Sequence, residues 1–169
     1  MVNKFEGKYG FLSNFYPCLI EHRGIVYPSV EHYYVAMKVT EMQFLNGNYY
    51  TAADFRELIA IIKSPGDVKK IGSKLKIRKD WNSKKLDFMK WGVTEKFKDP
   101  KLAEMLLSTG DMELTEGNWW HDTFWGVCTC NKCKVGENNL GKILMDIRLN
   151  LKQKTRPSLE DIIKNKNGF

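Results

Sequence analysis

The sequence predicts a mainly α fold: an α-helical orthogonal bundle in a single compact domain, with a small antiparallel β element near the N-terminus. Three observations predict it. Helix-start signals at Ser29, Thr51, Ser64 and Asp99 each precede apolar residues at helical spacing. Two short β-forming runs flank an Arg23-Gly24 turn. The 169 residues, 43% hydrophobic and 28% charged, suit one domain with its own core and argue against wholesale disorder.

The two runs are residues 19–22 and 24–27. Ser29 then caps a helix expected to reach about Gln43, with Val30, Tyr33, Tyr34, Met37 and Met42 as apolar positions. Thr51 with Asp54 forms a capping-box pattern ahead of Phe55, Leu58, Ile59 and Ile62. Ser64-Pro65 opens a third helix carrying Val68, Ile71 and Leu75. A fourth is expected from about Ser83 to Lys96 through Leu86, Met89 or Phe88, Val93 and Phe97. Asp99-Pro100 opens a fifth, which Gly110 stops. Residues 112–133 have neither period, and a long irregular stretch inside a compact domain usually carries function. Helical order returns at Asn138, where Leu140, Ile143, Leu144, Ile147 and Leu151 make one stripe, and a tail helix is expected from Ser158. No repeat or linker divides the chain, so residues 1–169 are taken as one domain.

No apolar run approaches the roughly 20 residues that span a bilayer, and residues 1–10 lack a signal-peptide core. The expectation is a soluble cytoplasmic protein, in host cytoplasm if its origin is viral, with no membrane and no stable protein partner. The net charge of +7 points to an anionic partner. Lys69, Lys70, Lys74, Lys76, Arg78, Lys79, Lys84 and Lys85 concentrate that charge, which reads either as a solvated helical face or as a phosphate or nucleic-acid contact. Cys128, Cys130 and Cys133 form C-x-C-x-x-C, three donors where a structural zinc site usually has four. Cys18, His22 or His121 supplies a fourth only if the fold brings it near, so these are read as reduced loop cysteines and no metal or cofactor is assigned.

Two segments hold the candidate chemistry. Glu31 falls in the first turn of the helix capped by Ser29, with Lys38 two turns on along the same face. This is either dipole complementation with a surface charge pair, or an acid/base carboxylate held beside a cation. The dipole lowers a carboxylate pKa there and burial raises it, so the sign stays open. Trp119, Trp120, Trp125 and Asp122 crowd the irregular stretch, and Trp81 adds an aromatic beside Arg78. Any one tryptophan is usually core, but three in a polar, aperiodic segment suit stacking on a base. There is no P-loop, G-x-G-x-x-G, H-E-x-x-H or G-x-S-x-G, so no glycine loop grips phosphate.

Five blocks occur in order: Phe11-Leu12-Ser13-Asn14-Phe15-Tyr16-Pro17; Tyr27-Pro28-Ser29-Val30-Glu31-His32-Tyr33 through Lys38; Ile77-Arg78-Lys79-Asp80-Trp81-Asn82; Asp122-Thr123-Phe124-Trp125-Gly126; and Gly136-Glu137-Asn138-Asn139-Leu140-Gly141-Lys142 through Arg148. Together, over residues 5–151, they resemble the motifs of the NADAR (YbiA-like) family. The resemblance implies a mostly helical domain that hydrolyses the ribose C1′–N bond of a ribosylated base without a cofactor. It implies two substrate groups: ADP-ribose on a base, notably guanine in nucleotide or DNA, and phosphorylated ribosylamino-pyrimidine intermediates of riboflavin synthesis. Carried over by motif, Glu31, Asp122, Trp81 and Trp125 are the expected catalytic residues. Ser13, Asn14, Phe15, Lys38, Arg78, Trp119, Trp120, Asn139 and Gly141 are the expected substrate binders. The cysteine cluster departs from the family pattern. The alternatives are a non-catalytic ADP-ribose or nucleotide-binding module and a basic, zinc-containing nucleic-acid-binding protein.

Overall fold

Helix α1 (Val30–Met37) lies at the centre, and all eight of its residues are buried. Helices α2 (Ala52–Ile61), α3 (Pro65–Gly72) and α4 (Trp81–Lys96) pack around it, while α5 (Pro100–Ser108) and α6 (Asn139–Thr155) close the far side against each other and α4. The computed structural model describes residues 1–155, so the tail helix expected from Ser158 lies outside the described residues. One continuous core runs through Val30, Tyr33, Ile59, Val68, Val93, Leu106 and Leu144. Each such side chain contributes about 1.5–3 kcal/mol when buried. No described helix is long and apolar enough to cross a membrane.

The helix starts follow from their caps. Thr51 and Asp54 exchange both bonds of a capping box, Ser64 accepts from the Asp67 amide ahead of Pro65, and Asp99 accepts from the amides of Lys101 and Leu102. His32 ties α1 to α2. Its Nε2 lies 2.8 Å from the Ile62 carbonyl and donates there, which leaves Nδ1 to accept from the Ser29 hydroxyl at 2.7 Å. Burial lowers its pKa and favours this neutral ring.

Strands β1 (Ile20–His22) and β2 (Ile25–Tyr27) form the expected hairpin, with Ile20 opposite Tyr27 and both Arg23 and Gly24 at positive φ. Helix α1 is shorter than expected, ending at Met37 rather than near Gln43. A second antiparallel hairpin follows, β3 (Gln43–Leu45) and β4 (Asn48–Tyr50), turning at Asn46 and Gly47 with φ of 50° and 84°. The Gln43 side chain bonds the backbone of Lys76 from both ends, and Met42 stands 59% exposed instead of joining the core. Helix α4 begins at Trp81, two residues before Ser83, and Leu86 faces solvent. Its buried face is Met89, Gly92, Val93 and Lys96, because Gly92 lets the helix close onto the Tyr33 ring.

The segment expected to be irregular holds two short strands, β5 (Gly117–Asn118) and β6 (Val127–Cys128), paired in parallel. Val2 runs alongside: its amide donates to the Glu113 carbonyl at 2.8 Å, and its own carbonyl accepts from Thr115 at 2.8 Å. Glycine is required where these layers meet. A Cβ on Gly141 would sit 2.1 Å from the Leu114 carbonyl oxygen, and one on Gly126 would sit 2.2 Å from that of Glu116.

Candidate active site

Glu31 is the second residue of α1, and its amide donates to the Asn14 carbonyl at 3.1 Å. The helix terminus favours its anion and burial opposes it. Burial prevails: the pKa is raised, chiefly by desolvation, although Lys69 and Lys38 pull it down, and the charge of Asp122 raises it further. Glu31 and Asp122 therefore lie within electrostatic reach of each other.

A third carboxyl group joins them. Glu116 has its pKa pushed up to about 7, first by burial, then by the charge of Asp122, with Lys69 lowering it and Glu31 raising it again. Its Oε2 is buried without a hydrogen-bond partner among the described residues. Asn138 positions this residue, accepting from the Glu116 amide at 3.1 Å while donating to the Leu114 carbonyl at 2.9 Å.

Asp122 has a second task. Its Oδ1 accepts from the amides of Phe124 and Trp125 at 3.0 and 2.8 Å, and its backbone exchanges two hydrogen bonds with the Asn118 side chain. The turn so formed offers the carbonyls of Phe124 and Trp125 to the amides of Asn139 and Leu140, which open α6. Helix-start donors that have no partner within their own helix are satisfied this way, so the fourth and fifth motif blocks are two halves of one junction.

Cations and aromatic rings surround the carboxyl groups. Lys38, at the C-terminal end of α1, sits over Tyr34 at 5.5 Å and over Trp81 at 5.9 Å, and burial lowers its pKa against the pull of Glu31. Lys69 lies over Trp120 at 5.2 Å and Phe15 at 5.7 Å. Tyr34 contacts both Trp81 and Trp125, and the Trp125 indole donates toward its hydroxyl. Burial, then the charge of Glu31, raises the Tyr34 pKa. Trp81 and Trp125 thus stand against Tyr34, and Phe15 and Trp120 against Lys69, whereas Trp119 stands 72% exposed with only Trp120 as an aromatic neighbour among the described residues.

Several expected binders are occupied as scaffold. The Ser13 hydroxyl accepts from the Phe15 amide, and its carbonyl accepts from the buried Lys96, whose pKa burial depresses to about 8. The Asn14 side chain donates to the Met89 sulfur. Arg78 holds Asp80 through two hydrogen bonds and lies over Phe88. Asn139 bonds the Phe124 carbonyl and Glu137, and Gly141 provides the close approach described above. Glu116, Lys69 and Tyr34 were not among the expected site residues; Glu116 and Lys69 fall outside the five motif blocks and meet partners far away in the chain, while Tyr34, inside the second block, reads from its helical spacing as a core position. Two grooves of about 600 and 610 Å³ lie elsewhere, and neither is lined by Glu31, Glu116 or Asp122. Cys18 and His22 are remote from the cysteine cluster, with His22 packed on Tyr33 and Trp91, but His121 joins it.

The molecule is thus a mainly α domain built around an acidic, aromatic-walled centre on its first helix. The NADAR domain model matches residues 2–152, and the chain belongs to that family. An N-glycosidase of Nostoc punctiforme is 36% identical over 143 residues, covering 83% of this chain and 84% of its own. A riboflavin biosynthesis protein of Vibrio vulnificus is 35% identical over 149 residues, which span 88% of this chain but only 37% of that longer protein. The NMR structure of the E. coli protein YbiA superposes with a TM-score of 0.69 at 29% identity, covering 94% of this chain and 92% of that one.

Proposed function

We propose that the protein is an N-glycosidase that hydrolyses the ribose C1′–N bond of a phosphorylated, ribosylated base. The observation that carries this reading is the gathering of Glu31, Glu116 and Asp122 within electrostatic reach of one another and of Lys69, with Lys38 beside Glu31 and both lysines lying over aromatic rings. Relatives named as N-glycosidases at 33–36% identity support the reaction class.

Cleavage of the C1′–N bond builds positive charge on the ribose, as in other oxocarbenium-like glycosyl transfers. Glu31, in the ionised form that Lys69 and Lys38 favour, stabilises that charge and takes a proton from the attacking water, with the Asp122 charge reinforcing the field. Glu116, whose pKa near 7 keeps a proton available, donates it to the leaving nitrogen. Water adds across the bond: the hydroxyl goes to C1′ and a hydrogen to the base. Trp81, Trp125, Tyr34 and Trp120 stack on the base and exclude water, and Lys38 and Lys69 hold phosphate.

The substrate favoured is a phosphorylated ribosylamino-pyrimidine, since relatives from Vibrio and Zea mays are named riboflavin biosynthesis proteins. ADP-ribosylated guanine in DNA is a second reading, favoured by the net charge of +7, by the exposed Trp119 and by Trp120 beside Lys69. Purified protein is incubated with each substrate and base release is followed by mass spectrometry. Release from one of them, lost in Glu31→Gln, is the expected result. Ligand-induced thermal stabilisation without release from either would overturn the enzyme reading in favour of a binding module.

A further inference from the structure

We propose that His121, Cys128, Cys130 and Cys133 form a structural zinc site that staples the loop carrying Asp122 to strand β6. Their ligand atoms all lie within 4.8 Å of one another. The His121 Nδ1 is 3.2 Å from the Cys133 sulfur, 3.4 Å from that of Cys130 and 3.7 Å from that of Cys128, while the Cys130 and Cys133 sulfurs are 3.3 Å apart. With Zn–S about 2.3 Å and Zn–N about 2.0–2.1 Å, a tetrahedral site separates nitrogen from sulfur by roughly 3.5 Å and two sulfurs by roughly 3.7 Å. The four donors therefore already approach the corners of such a site. A Cys130–Cys133 disulfide would need the sulfurs at about 2.05 Å, and it would leave Cys128 and His121 without a role.

The local backbone is arranged for this convergence. Pairing of Asn118 with Cys128 in β5–β6 brings the two segments together, and the Thr129 amide and hydroxyl both donate to the Asn118 carbonyl. The Cys130 amide donates to the Cys128 sulfur at 3.5 Å, the kind of outer contact that supports a thiolate ligand. His121 adopts a left-handed φ of 67°, unfavourable for a residue with a Cβ, and its ring meets the three sulfurs. His121 is exposed and the cysteines are half-buried, so apolar packing is not what gathers them.

Three thiolates and one neutral imidazole select zinc among common metals, and with no open position the site is structural rather than catalytic. Binding releases three protons from three thiols and leaves a centre of net charge −1. His121 adjoins Asp122 and follows Trp120, so the metal holds both flanks of the loop. The metal stands independently of the chemistry proposed for Asp122; any effect on turnover rests on that chemistry.

Full-length protein from zinc-replete cells, desalted into metal-free buffer, should carry about one zinc per chain, and cobalt exchange should give the intense absorption of tetrahedral thiolate coordination. A Cys130→Ser/Cys133→Ser double variant should lower zinc at least ~10-fold, while Cys18→Ser leaves it unchanged. Because the double variant can misfold, chelation of the wild-type protein supplies a second measurement: three thiols should become reactive as zinc leaves, and proteolysis within residues 118–133 should accelerate. Zinc below about 0.1 per chain with no cobalt spectrum, iron in its place, or zinc retained in the double variant would each overturn the site. Loss of turnover in Glu31→Gln with zinc intact bears on the glycosidase reading alone.

Discussion

A glutamate with a pKa of about 7 is half protonated at neutral pH, and Glu116 has that value because its buried oxygen lacks a partner while Asp122 and Glu31 repel its charge. As the proton donor it predicts turnover that falls as pH rises through about 7, and Glu116→Gln should abolish that limb in a pH–rate profile. Stability follows the same group: its folded pKa lies above its ordinary value of 4.5, so the folded state holds the extra proton between 4.5 and about 7. Its stabilising contribution is complete below 4.5 and is lost as pH rises through 7, so Glu116→Gln should raise the melting temperature more at pH 8 than at pH 5. Glu31→Gln should lower turnover ~100-fold or more without lowering the melting temperature, since burial already opposes the Glu31 charge. Asp122 separates charge from geometry. Asp122→Asn keeps an acceptor for the Phe124 and Trp125 amides, so activity should fall ~100-fold while melting holds, whereas Asp122→Ala should also destabilise by about 1–2 kcal/mol in thermal unfolding. Equal activity in wild type and Asp122→Asn would reduce Asp122 to a turn anchor. Among these residues, Glu31, Asp122, Trp81 and Trp125 were legible through their motifs. Glu116, Lys69 and the pairing of His121 with the cysteines were not, because each depends on contacts closed by the fold across distant or aperiodic sequence.

Helix starts were legible where a polar cap and a proline or carboxylate share the first turn, as at Thr51, Ser64 and Asp99. The early end of α1 was not, although Asn46-Gly47 between β-forming residues is the turn signal that locates β3 and β4. Apolar residues at 42, 44 and 49 lie on the solvent side of that hairpin, so periodicity pointed the wrong way. The α1–α4 contact gives an element-scale prediction. A Cβ on Gly92 would lie 2.7 Å from the Tyr33 ring, itself wedged between Tyr27 and Trp91, so the ring has little room to yield. Gly92→Ala should destabilise by about 1–3 kcal/mol despite the higher helix propensity of alanine, measured by denaturant unfolding.

Over the whole molecule some lysines are neutralised in exposed pairs such as Lys70–Asp67, Lys76–Glu41 and Lys90–Asp146, which solvent screening leaves weak, and the net charge of +7 is what remains beyond such pairing. Lys69, over Trp120 and Phe15, is the basic residue of that strip turned toward the acidic centre. If the substrate is DNA-borne, kcat/KM should fall steeply between 50 and 200 mM salt by roughly 10-fold or more, while a small phosphorylated nucleoside should show a far shallower slope. The mainly α class was legible from cap and spacing alone; the layered loops behind the site were not, because their order comes from backbone approach at glycines rather than from any side-chain period.

Val2 is wedged beside Leu114, over a hundred positions away, and the segment it braces carries Glu116. That segment is in turn held by Asn138 at the start of α6. During synthesis, the cradle of Glu116 stays unfinished until Asn138 has left the ribosome, and early helices wait on a late partner. Such distant closure favours slow, all-or-none maturation over piecewise assembly.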